Sequence, residues 1–220
     1  MKETIALAVP IYESVKAPAY RSHLAMVAAM ARMDVDLWLL HPRYERRTYP
    51  FCVNDMVAAM LAAEKSKGRR ADWLFYVEDD IVTSPDTFAK LRAAADPQAR
   101  PFVSALTYCR TPPYGPGVAN IVTQNGLVYA DQWRTAPTAG THPADQVGMC
   151  ACVIHRSLFD RIAQPWFTIY ADLGTSSGPD ASWCERLRKA GIQPMVCCDA
   201  EVGHLDTGRV ITRADSEVAQ

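Results

Sequence analysis

The sequence predicts a single α/β domain in which helices flank a mixed sheet that a small antiparallel hairpin extends. Strand-like apolar runs alternate with helical patterns in the first half of the chain, whereas the second half is mixed and carries an Asn125-Gly126 hairpin signal. The 220 residues suffice for one core, and 49% hydrophobic against 21% charged residues excludes a disordered chain. No repeat or linker divides the sequence, so one domain is expected.

In the first half, each apolar run that ends at a polar or proline residue predicts a strand. Asn54 is expected to cap the second helix, and Ser84 followed by Pro85 is expected to start the third. The predicted strands are 4–9, 35–40, 73–77 and 101–106, and the predicted helices are 18–33, 55–67 and 84–95.

The second half contains shorter elements and more irregular chain. Gly191 suits the position just after a helix, and the proline-rich run 111–117 cannot continue a strand ladder. The prediction is a hairpin at Asn125-Gly126, a loop over 131–146, a strand over 147–154, a short helix over 157–163, an irregular stretch over 164–178, a helix over 179–190 and a strand around 195–197.

Charge and cysteine content narrow the function classes. A net charge of -1 gives no general attraction to nucleic acid or anionic lipid. The seven cysteines show no C-x2-C spacing, so we expect reduced thiols in a cytoplasmic protein, the host cytoplasm if a phage encodes it. The apolar run after Met1-Lys2-Glu3 has only six residues. A run of that length is too short for a signal peptide or a membrane span, so no membrane insertion is expected.

An acidic triplet, Glu78-Asp79-Asp80, directly follows the all-apolar strand 73–77. In open α/β sheets ligands bind beyond the carboxyl ends of the strands. Three adjacent carboxylates repel one another, and such a stretch commonly offers them to a divalent cation or to a ligand that donates hydrogen bonds. A solvated turn before the next helix is the alternative, and the triplet alone does not decide between the two.

Four stretches of the chain form one pattern. They are Val9-Pro10-Ile11-Tyr12; Glu78-Asp79-Asp80 with Ser84-Pro85-Asp86-Thr87; Gly148-Met149-Cys150-Ala151-Cys152 with Arg156-Ser157-Leu158-Phe159; and Gly178-Pro179-Asp180 with the helix to Ala190-Gly191 and Val202-Gly203-His204. Together they resemble GT-A fold glycosyltransferases of the family-2-like, short soluble bacterial and phage type. The resemblance covers nearly the whole chain and implies one GT-A domain, with a nucleotide-binding half over 1–107 and an acceptor-side half over 108–220.

The resemblance implies a metal and a catalytic base. Asp80 and His204 would bind Mn2+ or Mg2+, and Glu78, where the family more often has Asp, would contact the ribose or the metal. An imidazole ligand favours Mn2+. Asp180 matches the residue that takes the acceptor proton in inverting members, although Pro179 replaces the acid that usually precedes it.

Further donor and acceptor contacts are expected from the same resemblance and from aromatic residues. The donor side would include Pro10, Tyr12, Asn54, Asp79 and Arg110, although Val53 stands where the family usually has Arg. On the acceptor side, Trp166 and Tyr170 offer ring faces for stacking, and core anchoring is the alternative for both.

The implied function is transfer of a sugar from a nucleotide-sugar, most simply a UDP- or GDP-sugar, to an acceptor hydroxyl with inversion. The acceptor stays open among a glycan, a small molecule, a protein and a hydroxymethylated pyrimidine in phage DNA. A metal-dependent sugar nucleotidyltransferase is one alternative, although 10–18 lacks the Gly-rich basic loop usual in that class. A non-catalytic nucleotide-sugar binding protein is the other.

Overall fold

The computed structural model describes residues 2–11, 14–40, 48–169 and 178–218; Tyr12 and Tyr170, two of the expected site residues, lie outside them. All seven cysteines lie within the described residues and are free thiols. The helices are α1 (Ala17–Met30), α2 (Tyr49–Lys67), α3 (Thr87–Ala94), α4 (Leu158–Arg161), α5 (Pro179–Lys189) and α6 (Arg213–Val218). The strands are β1 (Glu3–Ala8), β2 (Val35–Leu40), β3 (Trp73–Val77), β4 (Ile81–Val82), β5 (Phe102–Leu106), β6 (Val118–Gln124), β7 (Leu127–Gln132), β8 (Thr141–Pro143), β9 (Gln146–Val147), β10 (Ala151–His155), β11 (Met195–Glu201), β12 (Gly203–Asp206) and β13 (Arg209–Ile211).

A seven-stranded mixed sheet in the order β2-β1-β3-β10-β5-β11-β8 forms the centre of the domain. Strands β1, β2, β3, β5 and β11 run in one direction, and β10 lies antiparallel between β3 and β5. Side chains alternate between the two faces of β3, so Leu74 and Tyr76 pack with α2 and α5, whereas Trp73, Phe75 and Val77 pack with α1 and α3. The sheet is therefore covered by helices on both faces, as the uninterrupted apolar runs predict.

Two small antiparallel sheets extend this centre. One joins β4, β12 and β13, and its register places His204 opposite Ile81. At Gly203 a Cβ atom would overlap Val210 Cγ1, so the Val210 side chain on β13 occupies the space beside this glycine. The other sheet joins β7, β6 and β9. The predicted hairpin turn is present, with positive φ at Asn125 and Gly126.

Two predicted helix starts are wrong. Helix α2 begins at Tyr49, after Thr48 and with Pro50 in its first turn, so Asn54 lies inside the helix and does not cap it. Helix α3 begins at Thr87 and not at Ser84. A local turn explains the second difference, because the Ser84 N–H donates to Thr87 Oγ1 (2.9 Å) and the Thr87 N–H donates to the Ser84 carbonyl (3.2 Å).

Short elements that the sequence did not predict are a further difference. Strand β4 follows the acidic triplet, and β8 and β9 lie in or at the end of the predicted loop 131–146. Strands β12 and β13 and helix α6 follow the last predicted strand. Among the described residues, no helix combines the length and the apolar character that a membrane crossing requires.

Candidate functional site

A cavity of about 720 Å³ opens at the sheet edge where β1, β3 and β5 end and β10 begins. Pro10 follows β1, the triplet 78–80 follows β3, Arg110 follows β5 and Cys150 precedes β10; all of them line the cavity. Because β10 runs against its neighbours, the segment leading into it meets the segments leaving β3 and β5. The cavity therefore occupies the edge at which α/β sheets bind ligands.

Asp80 and His204 lie side by side in this cavity. The Asp80 Oδ2 to His204 Nε2 distance is 3.5 Å, and His204 Nδ1 lies 3.2 Å from the Tyr108 carbonyl oxygen. A carbonyl only accepts, so Nδ1 carries a hydrogen and Nε2 faces Asp80. In the charged ring Nε2 also carries a hydrogen and pairs with the Asp80 carboxylate, and in the neutral ring its lone pair is available to a cation. The backbone holds the pair together, because the Leu205 N–H donates to the Asp80 carbonyl (2.9 Å).

Asp80 also pairs with Arg110, whose Nη1 lies 3.1 Å from Asp80 Oδ2. Burial alone would raise the pKa of Asp80, but the hydrogen bond and charge of His204 and the charge of Arg110 together lower it. Asp80 is therefore an anion at neutral pH. More than half of the Arg110 side chain is exposed, so its guanidinium has room to move.

Glu78 and Cys150 lie close to His204 in the same cavity. The Glu78 N–H donates to the Cys150 carbonyl (2.9 Å), and the Tyr76 hydroxyl donates to Glu78 Oε1 (3.3 Å). One ligand atom each from Glu78, Cys150 and His204 lies within 4.8 Å of the other two. Burial, followed by the negative charges of Glu78 and Asp180, raises the pKa of the Cys150 thiol well above its usual value.

Asp180 faces the cavity from the first turn of α5. Its Oδ2 accepts a hydrogen bond from the Met149 N–H (3.2 Å), which ties the start of α5 to the segment before β10. Gly178 precedes the helix with a φ of 149°, a conformation that favours glycine. The helix N-terminus stabilises a negative charge at Asp180.

The donor atoms fit a divalent cation. A carboxylate oxygen and an imidazole nitrogen face each other across 3.5 Å, with a second carboxylate, Glu78, beside the imidazole. The guanidinium of Arg110 supplies a positive charge beside Asp80. Oxygen and nitrogen ligands of this kind suit Mn2+ or Mg2+.

Two expected site residues do not line the cavity. Asn54 uses its side-chain amide inside the fold: Oδ1 accepts from the N–H groups of Trp166 (2.9 Å) and Phe167 (3.2 Å), and Nδ2 donates to the carbonyls of Pro50 (2.7 Å) and Phe167 (2.8 Å). Trp166 is 4% exposed, packs against Phe159 and donates from its indole N–H to the Phe159 carbonyl (3.2 Å). Its ring is a core anchor and does not offer a stacking surface. Pro10, Glu78, Asp79, Asp80, Arg110, Asp180 and His204 do line the cavity.

The second antiparallel sheet contributes a wall that the sequence did not indicate. Gln132, on β7, donates from Nε2 to the Pro116 carbonyl (2.7 Å) and to Cys109 Sγ (3.1 Å), which fixes the hairpin against the loop after β5. The Asn125-Gly126 signal locates the hairpin but carries no information about where it packs. The wall consists of Val118, Ala119, Ala130, Gln132, Gln146 and Val147.

Comparisons with known proteins agree on the fold. No protein-family model matches the sequence, and no curated protein matches it. The structure is similar to that of A197 from STIV, with a TM-score of 0.54 and 15% identity over 97% of this chain and 91% of that one. Two weaker likenesses each have a TM-score of 0.48 and 11% identity. One is to GalNAc-T7 with UDP, GalNAc and Mn2+, over 94% of this chain and 44% of that one. The other is to a Drosophila beta-1,4-galactosyltransferase 7 mutant with manganese, UDP-Gal and xylobiose, over 93% of this chain and 71% of that one. The predicted fold class is confirmed: a mixed sheet is flanked by helices and extended by small antiparallel sheets, and A197 has a similar overall fold.

Proposed function

We propose that the protein is a metal-dependent glycosyltransferase that moves a sugar from a nucleotide-sugar to an acceptor hydroxyl with inversion. The observation that carries the proposal is the convergence of Asp80, His204, Glu78 and Asp180 on one cavity at the carboxyl edge of the parallel strands. These residues come from three separate parts of the chain. A purely structural role would not require three acids and an imidazole around one open volume.

Asp80 and His204 would hold the cation, with Glu78 beside it. When bound, a divalent cation offsets the negative charge that develops on the nucleoside diphosphate as it leaves. The protein's own part is to orient these ligands: the Tyr108 carbonyl fixes the tautomer of His204, and β4–β12 pairing fixes its distance from Asp80.

Arg110 would contribute a second positive charge to the donor. Its guanidinium pairs with Asp80, and its side chain is more than half exposed. With a cation on Asp80, that pairing loses its electrostatic advantage, and the guanidinium is free to bind phosphate oxygens. Pro10 and Asp79 line the same cavity and would contact the nucleotide.

Asp180 would act as the general base. Its Oδ2 is oriented by the Met149 N–H, and the carboxylate faces the cavity. In an inverting transfer the base removes the acceptor proton as the hydroxyl oxygen attacks the sugar, and the diphosphate leaves from the opposite face.

The acceptor would enter beside Asp180 and the wall formed by β6, β7 and β9. That wall mixes apolar side chains with Gln132 and Gln146, whose amides suit hydroxyl-rich groups. A glycan, a small molecule, a protein and a hydroxymethylated pyrimidine in phage DNA remain the proposed acceptor classes. The cytoplasm, where nucleotide-sugars are available to a protein with seven free thiols, is the proposed location.

Calorimetry with UDP and GDP, each with and without Mn2+, tests the donor site. We expect tight binding only when nucleotide and metal are present together, because two or three protein ligands leave most of the coordination sphere to the diphosphate. Equal affinity with and without Mn2+ for the diphosphate that binds would contradict the metal assignment. Labelled donor sugars offered to each acceptor class then test transfer. In a separate reaction that contains nucleotide-sugar and pyrophosphate, formation of a nucleoside triphosphate and a sugar 1-phosphate would support a nucleotidyltransferase.

A further inference from the structure

Cys150 is a buried thiol at the candidate metal site, and the proposed sugar transfer does not use it. Its sulfur lies within 4.8 Å of ligand atoms of Glu78 and His204, and His204 lies 3.5 Å from Asp80. We name these four side chains, Glu78, Asp80, Cys150 and His204, the thiol cluster. They combine two carboxylates, one imidazole and one thiol at the floor of an open cavity.

The backbone fixes the relative positions of these groups. Cys150 and Glu78 are joined across β3 and β10 by the hydrogen bond from the Glu78 N–H to the Cys150 carbonyl. Behind the thiol, a Cβ at Gly148 would lie 3.3 Å from Thr107 Cγ2, so the segment before β10 is closely packed. His204 is held by the Tyr108 carbonyl and by pairing of β12 with β4. The cluster is therefore largely formed before any ion arrives.

This donor set differs from one that suits only Mn2+ or Mg2+. Both of those ions prefer oxygen ligands. A thiolate together with an imidazole selects thiophilic ions, and such a ligand set binds Zn2+ more tightly than Mn2+. In a tetrahedral zinc site the ligand atoms lie about 3.5 Å apart. The ligand atoms of Glu78, Cys150 and His204 lie within 4.8 Å of one another and Asp80 lies 3.5 Å from His204, so a tetrahedral ion would draw the first three closer together.

We propose that the thiol cluster is a binding site for a thiophilic divalent ion such as Zn2+, with Cys150, His204 and Glu78 as ligands and Asp80 as the fourth donor. The metal–sulfur bond forms as the Cys150 thiol gives its proton to solvent, and no electron is transferred. Four protein ligands close the coordination sphere. If the proposed function holds, bound Zn2+ therefore competes with the Mn2+–diphosphate pair and inhibits transfer.

Cobalt(II) titration of the nucleotide-free protein tests the site without any assay of sugar transfer. A Co2+–thiolate bond gives a near-ultraviolet charge-transfer band, and tetrahedral Co2+ gives intense visible bands. We expect both in the wild type at one equivalent, and stoichiometric Zn2+ should remove both. Cys150→Ala should lose the charge-transfer band and bind Zn2+ at least about 10-fold more weakly.

Two further variants identify the ligating thiol. Cys109→Ser is the matched control, because Cys109 also lines the cavity but lies outside the cluster, and it should keep the band. His204→Gln changes a partly exposed side chain and should lose the tetrahedral spectrum, so it tests the site even if Cys150→Ala does not fold. A wild type without the charge-transfer band, or tetrahedral visible bands that survive in His204→Gln, would overturn the proposal. Diphosphate binding by the wild type with Mn2+ tests the proposed function separately, because a wild type without the charge-transfer band could still bind the Mn2+–diphosphate pair.

Discussion

Replacing Asn54 by alanine should destabilise the fold without changing the cavity. The side chain makes four hydrogen bonds, between 2.7 and 3.2 Å: three join α2 to the Trp166-Phe167 segment, and the fourth reaches the Pro50 carbonyl within α2. The three bonds between segments contribute about 1 kcal/mol each net and the bond within the helix about 0.5 kcal/mol, and alanine returns about 0.5 kcal/mol through its higher helix propensity. The expected loss is therefore about 3 kcal/mol in the free energy of unfolding.

For a chain of this length, about 1 kcal/mol corresponds to about 2–4 °C in melting temperature. Thermal unfolding followed by circular dichroism should therefore show a melting temperature about 6–12 °C lower for Asn54→Ala. Asn120→Ala is the matched control, because Asn120 is exposed on β6, and it should melt close to the wild type. If Asn54→Ala keeps the wild-type melting temperature but loses nucleotide affinity, Asn54 contacts the donor and the clamp interpretation is wrong.

Three other variants test the candidate site. Asp80→Asn should abolish sugar transfer. The variant should melt near the wild type, because the Arg110 side chain that pairs with Asp80 is half exposed. Transfer at a normal rate would exclude Asp80 as a metal ligand. Asp180→Asn should reduce transfer by about 100-fold or more with little change in donor affinity, and NMR of the wild-type product should show an inverted anomeric centre; a fully active variant with a retained centre would refute the base assignment. Gly203→Ala places a Cβ against the Val210 side chain and should lower the free energy of unfolding by about 1–3 kcal/mol. Mn2+–diphosphate binding should weaken as well, because a shift of β12 displaces His204. Unchanged stability would show that Val210 and β12 adapt easily to the added methyl group.

The position of the acidic triplet was predictable because a sharp local change marks it. Five apolar residues end abruptly in three acids, and an apolar run of that length has to be buried. All three acids do line the cavity. His204 has no such local signal; only resemblance pointed to it, and its proximity to Asp80 depends on a strand pair of two residues in β4.

Asn54 and Trp166 could not be assigned from the sequence because their partners are distant along the chain. Asn54 bonds to residues 112 and 113 positions away, and this pairing exists only after α2 and the segment before α5 have packed. An asparagine just before an apolar periodic stretch is also the usual sequence pattern of a helix N-cap, so the pattern does not reveal a contact with a distant segment. Proline at position 50 decided the helix start instead.

The antiparallel direction of β10 makes the chain between β5 and β10 an excursion that leaves and returns at one edge of the sheet. Residues 107–150 depart after Leu106 and come back at Ala151, and on the way they supply Arg110, the hairpin wall and Cys150. Strands β1 and β3 hold Pro10 and the triplet independently of that excursion. Within this excursion, the hairpin 118–132 lies outside the seven-stranded sheet and holds no proposed metal ligand. Exchange of that hairpin alone would therefore alter the proposed acceptor wall while leaving the sheet, Arg110 and Asp80 in place.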